Sequence, residues 1–148
     1  MFSQLYEQLK ADDIFKPKTE EEVAQDILIQ LKATKNEDGS YDIEGDVGLT
    51  NSNLTKISIK FRYVSGDFYC SWNNLTSLEG APKLVGGSFY CRGNKLTTLE
   101  GAPEKVGGDF YCSSNKLISL KGIGEVRGRI VCDSNPVSEK ELLATIGR

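Results

Sequence analysis

Apolar and polar positions alternate along this chain with two different periods. Phe2, Leu5, Tyr6 and Leu9 fall at i, i+3, i+4 and i+7, which predicts a short amphipathic helix ending near Asp12 or Asp13. Pro17 interrupts it. Thr19 with Glu22 three residues on reads as a capping box, and Val23, Ile27, Leu28 and Leu31 place one apolar stripe on a second helix reaching about Thr34. The polar stretch Asn36-Glu37-Asp38-Gly39-Ser40 then reads as a turn. Beyond it the period falls to two, with Ile57, Ile59, Phe61 and Tyr63 alternating with Lys56, Ser58, Lys60 and Arg62. Strands are therefore expected over 41–49 and 55–64, around Asn51-Ser52-Asn53. The row Lys56, Lys60 and Arg62 is expected to be the solvated face of an edge strand, where lysines discourage unwanted pairing.

From there the pattern repeats. Phe68-Tyr69-Cys70 returns as Phe89-Tyr90-Cys91 and Phe110-Tyr111-Cys112, 21 residues apart each time (89 − 68 and 110 − 89). A fixed period of this size signals a solenoid. Val64, Val85 and Val106 precede the tripeptide; Asn73, Asn94 and Asn115, then Leu75, Leu96 and Leu117, then Leu78, Leu99 and Leu120 follow it. A fourth copy, Ile130-Val131-Cys132 with Asn135 and Val137, comes one residue early, the deletion falling around Gly122-Ile123-Gly124. A weaker copy precedes them all, Ile43, Val47, Leu49 and Leu54 matching Val64, Phe68, Cys70 and Leu75.

The two-residue period of a strand puts Phe68, Phe89, Phe110 and Ile130 on one face with Cys70, Cys91, Cys112 and Cys132, and Tyr69, Tyr90, Tyr111 and Val131 on the other. The wholly apolar column faces inward, so the tyrosines stand outward. The Gly86-Gly87 and Gly107-Gly108 pairs are expected at backbone angles closed to other residues, with Pro82 and Pro103 fixing the opposite corner. The asparagine column is expected to hydrogen-bond backbone groups where each strand turns away. Ser138 with Glu141 suggests a second capping box, opening a short helix with Leu142, Leu143 and Ile146 as a lid on the last coil.

The copies NNLTSLEGAPKLVGGSFYC and NKLTTLEGAPEKVGGDFYC resemble a short bacterial-type leucine-rich repeat of a strand, an Asn, and LTSL followed by a proline turn. The likeness covers about half the chain. The chain departs from that pattern where Ser65, Gly86 and Gly107 occupy a position that usually carries leucine, and where Cys replaces the second inward aliphatic residue. The GDFYC and LTSLEGAP strings also resemble small tandem-repeat proteins of large tailed bacteriophages, which implies a phage origin and a host-cell target. The resemblance implies an α/β solenoid: a short leucine-rich-repeat array of parallel strands, with an N-terminal helical cap and a short C-terminal capping helix. The expected organisation is a cap over 1–40, transitional strands or a degenerate first repeat over 41–63, repeat coils over 64–137 and a capping helix over 138–148.

Composition removes several classes of function. The 148 residues include no His, so no imidazole is available to a triad or a zinc site. The net charge is −3, and residues 64–137 hold seven acids and eight bases, which gives little general attraction to nucleic acid or anionic membrane. Neither a membrane span nor a signal peptide is evident, so a cytoplasmic location, the host cytoplasm for a phage product, is expected. The four cysteines occupy one repeat position, in a line at ~4.8 Å intervals, where tetrahedral zinc needs ligands converging at ~2.3 Å. They are expected to be reduced, inert core residues, and no metal, cofactor or catalytic residue is assigned.

The outward strand face is left as the functional candidate. Its central column runs Gly48, Tyr69, Tyr90, Tyr111 and Val131, flanked by Asp46, Asp67, Ser88, Asp109 and Arg129 on one side and Thr50, Ser71, Arg92, Ser113 and Asp133 on the other. Tyrosine, tryptophan and arginine are enriched at interface hot spots. The partner-binding residues expected are Asp67, Tyr69, Trp72, Tyr90, Arg92, Asp109, Tyr111 and Arg129. The face covers a few hundred Å2, below the ~800 Å2 per partner of a standard interface, so coil edges or the cap must add to it. The function expected is non-enzymatic protein binding by a monomer or weak homo-oligomer. The alternative is a structural protein that joins copies of itself through the solenoid ends.

Overall fold

The structure, a computed structural model, describes residues 17–146. The helix expected over Phe2–Leu9 lies outside them. The first described helix, α1 (Glu20–Gln30), begins with the capping box its sequence predicts: the Glu22 amide donates to Thr19 Oγ1 at 3.2 Å, and the Thr19 amide donates to Glu22 Oε2 at 2.8 Å. Glu20, Glu21 and Glu22 in its first turn complement the positive end of the helix dipole. Leu28 is buried and Ala24, Ile27 and Leu31 pack against the same core, whereas Val23 stays largely exposed.

Eleven short strands follow: β1 (Thr34–Lys35), β2 (Tyr41–Ile43), β3 (Val47–Gly48), β4 (Phe61–Val64), β5 (Phe68–Tyr69), β6 (Leu84–Val85), β7 (Phe89–Tyr90), β8 (Lys105–Val106), β9 (Phe110–Tyr111), β10 (Glu125–Val126) and β11 (Ile130–Val131). They wind a β-solenoid of about four turns. Each coil contributes a strand to both of two parallel sheets, one ordered β2-β4-β6-β8-β10 and the other β3-β5-β7-β9-β11. β1 closes the start of the first sheet by pairing antiparallel with β2. The repeat spacing pointed to one strand per coil; the second strand is the two residues around each valine of the Val64, Val85 and Val106 column.

The segment 41–64 is already part of the winding. Ile43 pairs with Val64 and Val47 with Phe68, in the alignment the weak first copy suggested. The expected strand over 41–49 is broken by a corner at Glu44-Gly45-Asp46, because every coil turns between its two sheets there. Over 55–64 only Phe61–Val64 is strand, and it lies inside its sheet, between β2 and β6. The alternation of burial continues through Ile57, Ile59 and Phe61 without a hydrogen-bond ladder. The Lys56, Lys60 and Arg62 row is therefore solvent-exposed but does not belong to an edge strand; Lys56 lies 3.6 Å from Glu20 of α1, and Arg62 pairs with Asp42 one coil earlier.

Parallel stacking places identical residues on top of one another. Phe68, Phe89 and Phe110 are fully buried, with ring centroids 5.5 and 5.1 Å apart, and Phe61 meets Phe68 edge-on at 5.3 Å. The cysteine and leucine columns complete the core. Asn94 shows the role of its column: its Nδ2 donates to the carbonyls of Cys70 at 3.0 Å and Cys91 at 3.1 Å, and its Oδ1 accepts from the Leu75 amide at 3.0 Å. Asn73, Asn115 and Asn135 repeat this bridge to the coil before, so a buried amide satisfies backbone that leaves the sheet. Among the described residues no buried side-chain polar atom lacks a partner.

The glycine pairs differ from expectation. None of these four is left-handed; the coils place left-handed glycines instead at Gly45 and Gly93 and, at the turns before or near Pro82, Pro103 and Ile123, at Gly80, Gly101 and Gly122. Gly86 and Gly107 are required by proximity: a Cβ on Gly107 would stand 2.2 Å from the Gly86 carbonyl oxygen, and one on Gly86 2.3 Å from that of Ser65. The departure from leucine noted in the repeat thus follows from corners that stack backbone on backbone.

The last coil is the least covered. Val126 and Ile130 are half-buried where Val106 and Phe110 are closed, and α2 (Glu139–Ile146) supplies Leu142 to the core while Leu143 faces out. Ser138 Oγ accepts from the Glu141 amide at 3.3 Å, one half of the expected capping box.

Replacing Phe89 with Ala removes an interior rung and is expected to cost ~3 to 5 kcal/mol, a large share of the ~5 to 15 available to a domain. Tyr90→Ala, on the opposite face, is expected to be much milder. Urea midpoints check the pair, and equal midpoints would reverse the assignment of faces.

Candidate interaction face

The sheet formed by β3, β5, β7, β9 and β11 presents its outward side chains in register. Tyr69 pairs with Tyr90 and Tyr90 with Tyr111, so their rings stack at centroid distances of 4.6 and 4.7 Å with interplanar angles of 12° and 5°. Each ring is half-buried, covered by its neighbours and exposed at its rim. Stacked pairs of this kind contribute roughly 0.5 to 1.5 kcal/mol beyond burial, so the column also stiffens the sheet.

Beside the rings runs a column of short acceptors. Asp46, Asp67, Ser88 and Asp109 each accept, through a side-chain oxygen, the backbone N–H of the equivalent residue one coil later, at 2.7, 2.7, 2.9 and 2.7 Å. Asp67 and Asp109 use their second oxygen for the tyrosine of their own coil, the Tyr69 and Tyr111 hydroxyls donating at 2.9 and 3.0 Å. Ser88 is too short to do this for Tyr90. Arg129 reaches back to Asp109, Nη2 to Oδ2 at 3.3 Å. The hydrogen bonds of Arg129 N–H and the Tyr111 hydroxyl hold the Asp109 carboxyl below its usual range. Reciprocally, the hydroxyl bond to Asp67, helped by partial burial, pushes Tyr69 up to about 12, and Tyr111 is raised by its bond to Asp109.

The other border is thinner than the alternation implies. Ser71 and Ser113 are buried, Ser71 Oγ accepting from the Arg92 amide and Ser113 Oγ donating to Asp133. Thr50, Arg92 and Asp133 are its exposed members. Arg92 makes no ion pair among the described residues.

Trp72 stands at the next position, 54% exposed, with a backbone φ of +54°. The same position in the other coils is also left-handed, at Asn51 (+54°), Gly93 (+66°), Ser114 (+57°) and Ser134 (+58°). The fold imposes this turn on every coil. Asn and Gly tolerate it, whereas a bulky side chain pays roughly 1 to 2 kcal/mol. The indole of Trp72 lies across Gly93, where an added Cβ would be 2.1 Å from Cε3. An exposed indole held where the backbone disfavours it is the arrangement that strain at functional sites takes. The left-handed column was legible in principle from its Asn and Gly members.

The eight predicted residues thus fall on one face: Tyr69, Tyr90 and Tyr111 as a stack, Asp67, Asp109 and Arg129 along one side, and Arg92 and Trp72 along the other. Sequence reasoning did not find an open groove of about 810 Å3 on the first sheet's side, bordered by Ile57, Lys60, Glu79, Pro82, Lys83 and Glu104. It is assembled from corners of successive coils, which no local motif marks. The cysteines form the buried column, and burial pushes the Cys70, Cys91 and Cys112 thiols well up, away from the thiolate that metals and electrophiles require. Among the described residues no three Cys, Asp or Glu side chains are grouped to hold a metal ion.

Two measurements follow. Cys91 and Cys112 are expected to resist a thiol reagent in the native protein and to react on denaturation. For Tyr69 the folded pKa lies above the unfolded one, near 10, so the unfolded chain loses its proton first; this contribution to stability is intact below pH ~10 and is lost as pH rises towards ~12. Urea unfolding across that window should show a shallower alkaline loss in Tyr69→Phe than in the parent.

Comparison with protein-family models, with characterised proteins and with solved structures finds no match to this chain.

Proposed function

We propose that this protein is a non-enzymatic protein-binding module that engages its partner through the tyrosine-bearing sheet face. In this reading it is a short bacterial or phage-type leucine-rich-repeat protein, encoded by a phage and acting on a bacterial host protein in the host cytoplasm. The observation that carries it is Trp72. Three stacked tyrosines are explained by sheet stability alone, whereas the Trp72 indole occupies a left-handed position that Asn or Gly fills at lower backbone cost and, although it lies across Gly93, leaves 54% of its surface exposed. Tyr69, Tyr90 and Tyr111 add rigid aromatic rims beside it, and Arg92, Asp67, Asp109 and Arg129 form a polar border, the composition of an interface hot spot.

A second reading, self-association through the solenoid ends, is supported by the last coil, where Val126, Ile130 and Val131 line a groove of about 740 Å3 beside Thr145 of α2. Unpaired edges of parallel strands are templates for further pairing.

The discriminating variant is Trp72→Asn. It relieves the backbone and is expected to keep or raise the urea midpoint, while capture of a stoichiometric partner from bacterial lysate falls for it and for Tyr90→Ala alike. Capture unchanged in both variants would remove the face from the function. Sedimentation of the purified chain tests the second reading, which requires concentration-dependent oligomers.

A further inference from the structure

The tyrosine ladder has an empty rung. Gly48 pairs in register with Tyr69, so it occupies the position at which a side chain would lie against the outer face of that ring. Tyr90 has a ring on both faces, and Tyr111 has Tyr90 on one face and Val131 of the next coil on the other. Among the described residues Tyr69 is stacked only on the Tyr90 side. Nothing in the fold demands glycine here. Gly48 is not left-handed, and a Cβ added to it meets no atom within 4 Å, in contrast to Gly66, Gly86 and Gly107, whose added Cβ would stand at 2.1 to 2.3 Å from a neighbour. β3 is the edge strand of its sheet, so the missing side chain leaves the outer face of the Tyr69 ring open, where a flat group could continue the ladder at the 4.6 to 4.7 Å spacing of its rings.

Charge is distributed unevenly along the same face. At the end with the empty rung stand Glu44, Asp46 and Asp67, none of which makes an ion pair among the described residues. At the far end stand Arg129 and, across the face, Asp133, both exposed, with Arg127 at the adjoining corner. There the protein shows how it satisfies a paired aspartate and tyrosine: the Arg129 guanidinium lies 3.3 Å from Asp109 Oδ2, the oxygen that also accepts from the Tyr111 hydroxyl. Asp67 and Tyr69 form the same pair, with a hydroxyl bond of 2.9 Å, and no guanidinium accompanies it. Asp46 adds a second carboxylate, which commits one oxygen to the Asp67 amide and leaves the other without a partner among the described residues.

Resting on the reading of this face as a protein-binding surface, we propose that the space over Gly48 receives an arginine side chain of the partner, its guanidinium stacked on Tyr69 and paired with Asp46. Three features select this occupant. An open aromatic face at the end of a stack suits a flat group. Two carboxylates at its border favour a cation over a neutral ring. Arginine is the side chain that is planar, permanently charged and forked to a carboxylate, whereas the lysine ammonium is a compact, strongly hydrated point charge.

The probe is the capped tripeptide acetyl-Gly-Arg-Gly-amide, titrated into the intact labelled protein and followed through backbone amide shifts. Saturable shifts are expected at Gly48, Asp67 and Tyr69 and not at Tyr111, with the Lys counterpart at least about tenfold weaker. Gly48→Tyr fills the rung and should abolish the response. Asp46→Asn keeps the Oδ1 acceptor for the Asp67 amide, so it preserves the ladder while removing the charge, and should weaken binding several-fold. Shifts that do not saturate, that survive Gly48→Tyr, or that are as large with the lysine peptide would overturn the proposal. So would oligomers of the purified chain that disappear on Arg129→Gln, since the guanidinium would then come from a second copy. Failure here is separable from failure of the face: a partner lost on Tyr90→Ala but retained by both Gly48→Tyr and Asp46→Asn refutes the arginine slot and leaves the face standing.

Discussion

A coil of about 21 residues cannot bury an apolar side chain by itself, and everything in this protein depends on the hydrogen-bonded stacking of one coil on the next. In one sheet the amides of Val47, Phe68, Phe89 and Phe110 donate forward to the following coil at 2.8 to 2.9 Å; in the other the amides of Gly86 and Gly107 donate backward at 2.9 Å. Each coil is thus held from both sides. The spacing this sets, ~4.8 Å between strands, is close to the centroid separation of stacked rings, so the tyrosines outside stack at 4.6 and 4.7 Å and the phenylalanines inside at 5.5 and 5.1 Å. The same spacing excludes a Cβ from the glycine corners and fixes the reach of the asparagine bridge.

Stacking also converts small sequence differences into position-specific chemistry. The acceptor column needs only a short side-chain oxygen, which Asp and Ser both provide, yet Asp alone has a second oxygen for the adjacent tyrosine. Tyr69 and Tyr111 are consequently tethered at their hydroxyls while Tyr90 between them is tethered only by its ring faces. At the left-handed column, Asn, Gly and Ser satisfy the turn and Trp72 merely endures it. The departures from the repeat, Gly48, Trp72 and Arg92, lie on the same face as the tyrosines. The core columns vary far less.

The ends are treated differently. α1 and β1 together cover the first coil, and Ile43, Val47 and Leu49 beneath them are as buried as their counterparts in the middle. The closing coil is one residue shorter, carries Ile130 in place of phenylalanine, and is only partly roofed by α2. Shortening the coil where the core column shrinks from an aromatic to an aliphatic residue keeps β10 and β11 in register with β8 and β9.

The sequence alone determined the period, the capping box at Thr19 and Glu22, the division of Phe and Cys from Tyr, and the alignment of Ile43 and Val47 with the later copies. These are local or strictly periodic properties, and a two-residue alternation repeated at fixed spacing leaves one consistent core. The tertiary structure decided what periodicity cannot express. Two-residue strands such as Leu84–Val85 carry no alternation to detect, so the second sheet was invisible. The segment 55–60 kept the alternation of a strand because burial alternates there, although no ladder forms along it and its pairing starts only at the Lys60 carbonyl, which accepts from the Tyr41 amide at 2.9 Å. The glycine pairs looked like conformational necessities and proved to be close approaches, since the atoms they avoid belong to a coil 21 residues away. Seven of the eight candidate binding residues were readable as one face from strand parity; Trp72 has the parity of the inward Phe68 and Cys70 and reaches that face through the left-handed turn beyond the strand. The strain under Trp72 and the open space over Gly48 were not, because both are relations between neighbouring coils that exist only once the chain has wound back on itself.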